Sequence, residues 1–178
     1  PLNRTENDLD WAIQGEGLFQ ITLPDGGIAY TRDGSFKLSS DGSVVTSSGF
    51  LIYPSVTVPE NSSDLQVAED GKIYVRLPDE TATTEIGQVE LARFINPSGL
   101  RSLGGNLFTE TDASGEPIVT LPAEEGAGTI MQGYSESSNV QVVEEMVNMI
   151  SAQRAFEIIS KSIQVAEDMM QVANNLKR

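Results

Sequence analysis

Two periods divide the chain. Over residues 10–134 apolar side chains alternate with polar ones or come in short runs, broken every few residues by Gly, Pro or Asp. Such runs, bounded by turn residues, are the mark of strands. They predict strands at 18–23, 28–30, 36–38, 43–46, 65–67, 72–77, 88–94, 107–111, 117–121 and 129–134. Asp25-Gly26, Asp41-Gly42 and Asp70-Gly71 fall between neighbouring runs. Asp-Gly reaches positive φ at low steric cost, so each pair is expected to close a tight hairpin. Ser98-Gly99 and Gly104-Gly105 mark further turns. The pattern suits a small, irregular all-β unit over 10–128, flanked by linkers at 1–9 and 129–139, with Glu124 to Gly128 also reading as a linker.

From Ser138 the period changes. Neither Gly nor Pro occurs from Ser135 to Arg178. Ser138 with Gln141 fits a capping box, which places a helix start within two residues of Val140 and a helix over 140–178. Val142, Met149, Phe156, Ile163 and Met170 repeat every seven residues. Ala152, Ile159, Ala166 and Ala173 follow three later in each heptad, while Glu145 holds that place in the first. This a/d row predicts coiled-coil-like packing along a single stripe. The fold class is thus mainly β with one long carboxy-terminal helix.

The length of that helix decides what the stripe packs on. From Val140 to Leu176 it runs about 55 Å at 1.5 Å per residue. A β unit of this size is roughly 35 Å across, so the stripe overhangs its own core. Burying the six large stripe residues contributes at most ~9–18 kcal/mol. Left in water, they form the kind of apolar patch that marks an interface. A partner is therefore expected. A second face, Gln153, Glu157, Ser160, Gln164, Glu167, Gln171 and Asn174, is polar but lightly charged.

Charge narrows the partner. The 178 residues carry 26 acidic and 11 basic side chains, net −15. Nucleic acid needs a positive footprint and anionic lipid a basic one, so neither is expected as a partner. Residues 1–134 hold 20 acids and 7 bases, and residues 135–178 hold 6 and 4. The two parts are thus suited to different surroundings, one solvated and acidic, the other packed. No run of about 18 apolar residues suggests a membrane span, and nothing reads as a signal peptide.

Catalytic chemistry finds little support. With neither Cys nor His, the chain lacks thiolate ligands, imidazole ligands and the commonest general base. Gly15-Glu16-Gly17 half-matches a dinucleotide fingerprint but lacks its third glycine and precedes a strand, so a turn is expected. The Asp-Gly pairs sit in no calcium-loop spacing. Glu124-Glu125 and Glu144-Glu145 are adjacent and do not face each other across a cleft, as glycoside hydrolysis requires. The expectation is no enzyme, no cofactor and no metal. A different class stays open: a β-rich carbohydrate-binding module with an oligomerising helix, which would present an aromatic platform using Trp11.

Three long stretches carry a resemblance. SNVQVVEEMVNMISAQRAFEIISKSIQVAEDMM (138–170) resembles the carboxy-terminal signature of the bacterial flagellar axial proteins, the rod and hook family. AIQGEGLFQITLPDGGIAYTRDGSFKLSSDGSVVTSSGF (12–50) resembles the start of that family's central domain. GQVELARFINPSGLRSLGGNLFTETDASGEP (87–117) resembles the branch that builds the distal part of the rod, and speaks against a proximal rod or hook subunit.

The resemblance implies a structural subunit that polymerises with itself into a helical tube. That tube would cross the periplasm in the basal body, transmit torque to the hook and enclose an export channel. Its implied partners are copies of itself, other rod proteins, the hook protein and the surrounding rings. Val142, Met149, Ala152, Phe156, Ile159, Ile163, Ala166, Met170 and Ala173 would form the assembly interface. Gln153, Ser160, Gln164, Gln171 and Asn174 are candidates to line the channel. Asn139 and Arg154 are candidates for intersubunit hydrogen bonds. Family members also carry an amino-terminal helix that this sequence does not show. Pro1 is therefore expected to lie inside a longer natural protein, with that helix and neighbouring copies covering the stripe.

Overall fold

The computed structural model describes residues 2–78, 82–136 and 142–175. The chain divides into two compact units, Pro1–Ser137 and Ser138–Arg178. The first unit holds strands β1 (Leu2–Arg4), β2 (Trp11–Gln14), β3 (Leu18–Thr22), β4 (Ile28–Thr31), β5 (Phe36–Leu38) and β6 (Val44–Thr46). These are followed by β7 (Leu51–Tyr53), β8 (Ser63–Val67), β9 (Lys72–Arg76), β10 (Thr83–Gln88) and β11 (Leu91–Arg93). After a 3₁₀ turn at Pro97–Gly99 come β12 (Arg101–Gly104), β13 (Leu107–Thr109), β14 (Ile118–Thr120), β15 (Thr129–Gln132) and β16 (Tyr134–Glu136). The second unit is one helix, α1 (Val142–Asn175).

A nine-stranded antiparallel sheet organises the first unit. β3 lies at its centre, paired with β4 on one edge and with β11 and β7 on the other. β13 and β12 extend one side, β6 and β5 another, and β14 pairs only with β11. A three-stranded sheet (β10-β9-β8) and the pairs β15-β2 and β1-β16 complete the unit. Alternation along β3 sends Phe19 and Ile21 into the main core, with Trp11, Ile13, Phe36, Ile52, Ile73, Leu91 and Ile130. Trp11 meets Phe36 at a tilt and Phe19 meets it edge-on, at ring distances of 4.9 and 5.2 Å. The opposite face carries a smaller cluster, Tyr30, Ala92 and Phe94, with Tyr30 meeting Phe94 edge-on at 4.8 Å.

The three Asp-Gly turns form as the sequence predicts. Gly26, Gly42 and Gly71 have φ of +84°, +80° and +81°. Each turn is closed by its own aspartate or by a backbone bond, as where Gly27 N–H donates to Asp25 Oδ1 at 3.0 Å. Hydrogen bonds from Ser39 and then Ser43 hold the Asp41 carboxyl below the usual carboxylate range.

Several expectations need correction. Residues 1–9 are not merely a linker remnant: Leu2–Arg4 pairs with Tyr134–Glu136. Thr129–Gln132 and Tyr134–Glu136 are strands, as the strand expected at 129–134 had it and the linker expected at 129–139 did not, and Ile130 is buried against β2's side of the core. The compact β unit is thus wider than 10–128. Glu124 to Gly128 forms a packed turn, with Gly128 N–H donating to Glu16 O at 2.7 Å. The run at 88–94 is split: Gln88 ends β10, while Leu91 starts β11. β2, β7, β12 and most of β10 were not expected at all. These are three- to six-residue elements, β2 made by the distant β15 and the others paired at least in part with a neighbouring strand, and so short a run carries little period of its own.

Candidate assembly surface

α1 spans 34 residues, about 51 Å at 1.5 Å per residue. Its content of Ala, Glu, Gln and Met, with no Gly or Pro, explains why one helix forms. Every described side chain on it is exposed except Ser160, which is half-buried. Met149, Ala152, Phe156, Ile159, Ile163, Ala166 and Met170 share one face, as the heptads require. Phe156 is 72% exposed and Met170 69%. Val142 and Ala173 hold helical positions in the same row, and their side chains lie outside the described residues.

The polar face is also present. Gln153 and Gln164 are exposed beside Ser160. Gln171 and Asn174 follow at helical spacing, their side chains outside the described residues. Arg154 is exposed, and Asn139 lies outside the described residues altogether.

The single-stripe expectation was incomplete. Val147, Ile158, Val165 and Met169 form a second exposed apolar row. At 100° per residue it sits roughly 130° around the helix from the heptad row. The small side chains Ala155 and Ser162 lie between the two rows. A helical wheel drawn from sequence would have shown this; the heptad count hid it by fixing on one seam. A helix apolar on two faces needs cover on two sides, which a two-helix seam alone does not provide.

The β unit holds its last strand firmly. β1 and β16 run antiparallel, Leu2 opposite Glu136 and Arg4 opposite Tyr134, so the chain reaches and leaves the unit side by side. Arg32, just after β4, pins this edge. Its Nε donates to Glu136 Oε2 at 2.6 Å. Nη1 donates to Gly17 O and Nη2 to Ile13 O, both at 2.7 Å. All three nitrogens are thus engaged, and Gly15-Glu16-Gly17 serves as the turn from β2 to β3. Sequence reading passed over Arg32, because its three acceptors lie 15 to 104 residues away.

Reactive groups are sparse. Among the described residues no cluster of three or more His, Cys, Asp or Glu is arranged to hold a metal ion. Tyr30 is raised above its usual range by burial and, less, by Glu110. Trp11 is fully buried, its indole N–H donating to Asp8 O at 3.0 Å, so it forms no exposed platform.

A β unit and a long helix whose described apolar side chains are uncovered make the build of a structural subunit. Comparison with known proteins agrees with that class. Residues 12–75 match the flagellar hook protein FlgE/F/G D1 domain, and residues 131–176 match the flagellar basal body rod FlgEFG protein C-terminal region. The chain is 51% identical over 175 residues to the flagellar basal-body rod protein FlgG of Buchnera aphidicola (subsp. Acyrthosiphon pisum), covering 98% of this chain and 67% of that protein. It is 35% identical over 179 residues to the Bacillus subtilis protein of the same name, covering 98% and 67%. A flagellar hook protein FlgE from Caulobacter vibrioides is 33% identical over 118 residues, covering 66% of this chain and 20% of that protein. The chain belongs to the FlgE/F/G family of flagellar rod and hook proteins, and spans about two thirds of the length of the rod-protein relatives.

Proposed function

We propose that this chain is a non-catalytic structural subunit of the distal rod of the bacterial flagellum. It polymerises through α1 into a helical tube in the basal body, crossing the periplasm, passing torque to the hook and enclosing the export channel. The observation that carries this reading is the uncovered helix: two apolar rows over 34 residues are exposed in a chain whose relatives bear the name of the rod. Rod rather than hook is favoured because rod-protein similarity runs along 98% of the chain, against 66% for the hook protein.

In the polymer the heptad row makes coiled-coil-like contacts with one neighbour, and the row of Val147, Ile158, Val165 and Met169 meets a second. Gln153, Ser160, Gln164, Gln171 and Asn174 face the channel. A surface with few charges and little apolar area lets unfolded cargo pass without sticking. Asn139 and Arg154 supply hydrogen bonds between subunits. The near-neutral helices pack densely at small radius, while the acidic β units lie further out, where charges more than about 8 Å apart are screened at physiological salt. Other rod proteins, the hook protein and the rings are the remaining partners. The burial of Trp11 removes the main support for the carbohydrate-binding alternative.

The test is the double substitution Phe156→Asp and Ile163→Asp. Secreted subunit should stay folded in its β unit but fail to enter rods, abolishing motility. Normal rods and swimming from the double mutant would refute α1 as the assembly surface.

A further inference from the structure

The chain has no cysteine, so its five methionines carry all of its sulfur. Their placement is uneven. Met131 lies in β15 opposite Ala12, half-buried in the β unit. Met146, Met149, Met169 and Met170 all lie on α1. Their side chains are 60%, 63%, 68% and 69% exposed. Trp11, the single indole, is fully buried. The sulfur that water and small solutes reach is thus gathered on the helix.

Three of the four stand in the apolar rows of α1. Met149 and Met170 belong to the heptad row, and Met169 to the row of Val147, Ile158 and Val165. Met146 precedes Met149 by three residues, which makes the two neighbours on the helix surface. An unbranched thioether fills irregular gaps, which suits a surface that packs on two sides. The same sulfur has a lone pair open to oxidants. When it attacks a hydroperoxide, the O–O bond breaks and an S–O bond forms. The sulfur gives up two electrons, and the peroxide is reduced to water or an alcohol. The proton of the transferred oxygen passes to the leaving one. The product is methionine sulfoxide, a polar group on a side chain that was apolar.

Burial then works against packing. Around these positions the rows carry apolar side chains, among them Phe156, Ile158 and Ile163. An oxygen buried among such side chains without a donor is costly.

We propose that Met146, Met149, Met169 and Met170 form an oxidation site that makes assembly sensitive to hydroperoxides. In the free subunit they are converted to sulfoxides, and α1 then no longer packs against its neighbours. The proposal rests on the reading of α1 as the assembly surface; the preference for these four sulfurs follows from their exposure alone. In a rod the same sulfurs are covered, so a subunit is sensitive before assembly and resistant after it. A methionine sulfoxide reductase would restore the free subunit.

The experiment treats the dilute purified chain with hydrogen peroxide and follows each methionine by peptide mass spectrometry. The four α1 sulfurs should oxidise about fivefold or more faster than Met131. In basal bodies isolated from motile cells and given the same peroxide, they should oxidise no faster than Met131. A substituted pair supplies a second readout. Met149→Gln with Met170→Gln places polar groups where the sulfoxides would stand. It should lower rod number about tenfold or more, one decade in affinity being about 1.4 kcal/mol. Met149→Leu with Met170→Leu should assemble as the parent does, and Trp11 fluorescence reports whether the β unit is folded in both. The proposal is overturned if Met131 oxidises as fast as the four in the free chain, or if the Gln and Leu pairs assemble alike. Should α1 oxidise as fast in rods as in the free chain, the helix is not covered in the polymer. The assembly-surface reading then fails and the link to assembly with it, while the oxidation pattern of the free chain stands.

Discussion

Replacing Arg32 with Ala probes the edge from which the chain leaves the β unit. The substitution removes three charge-assisted hydrogen bonds, to Glu136, Gly17 O and Ile13 O. Bonds to a charged group contribute about 1.5–3 kcal/mol each when buried. The Arg32 side chain is 31% exposed, so water replaces part of the loss, and about 1–1.5 kcal/mol remains for each of the two carbonyls. The pair with Glu136, itself 36% exposed, contributes at most about 1 kcal/mol. Together the expected loss is about 2–4 kcal/mol. With a urea slope of about 1.5–2 kcal/mol per M, the midpoint should fall by about 1–2.5 M. The single, fully buried Trp11 reports the transition by its fluorescence. Arg32→Lys should lose about half as much, because an ammonium is a point donor and cannot span three diverging acceptors. Glu136→Gln should cost no more than about 1 kcal/mol. A midpoint for Arg32→Ala within about 0.5 M of the parent would show that water serves these carbonyls as well as the guanidinium does.

Gly34→Ala should destabilise far more than Gly26→Ala. A Cβ at Gly34 would stand 1.7 Å from Trp11 O with Phe19 close behind, whereas one at Gly26 meets nothing within 4 Å and costs only the strain of φ +84°; failure to fold is expected for the first and a loss of about 1 kcal/mol for the second. Similar urea midpoints for the two would contradict the packing. Burial raises the Tyr30 pKa above 10.0, so its neutral form favours the folded state; that contribution is complete below pH 10 and is lost as pH rises through the folded-state value. Urea midpoints measured from pH 9 to 11.5 should fall less steeply in Tyr30→Phe than in the parent, and parallel curves would rule out this contribution. In dilute monomer, amides of 146–170 should exchange quickly, since an uncovered helix has little tertiary support. Strong protection there without oligomers would mean α1 is stable alone.

Sequence alone determined the parts governed by local rules. Residues 142–175 have one helical period, no Gly and no Pro, and that pattern selects a helix over a strand. Asp25-Gly26, Asp41-Gly42 and Asp70-Gly71 close hairpins because positive φ is a property of the glycine and its neighbour, not of the fold. Long similar stretches in order carried the family. Tertiary structure decided the rest. Leu2–Arg4 is a strand only because Tyr134–Glu136 lies beside it, and no three-residue run announces a partner 130 residues away. Arg32 reads as one more surface cation until Ile13, Gly17 and Glu136 are brought to its three nitrogens. Local periodicity reports what a backbone can do with its nearest neighbours. Pairing of distant strands, and the pockets they enclose, depends on contacts whose cost and gain are settled only when the whole sheet closes.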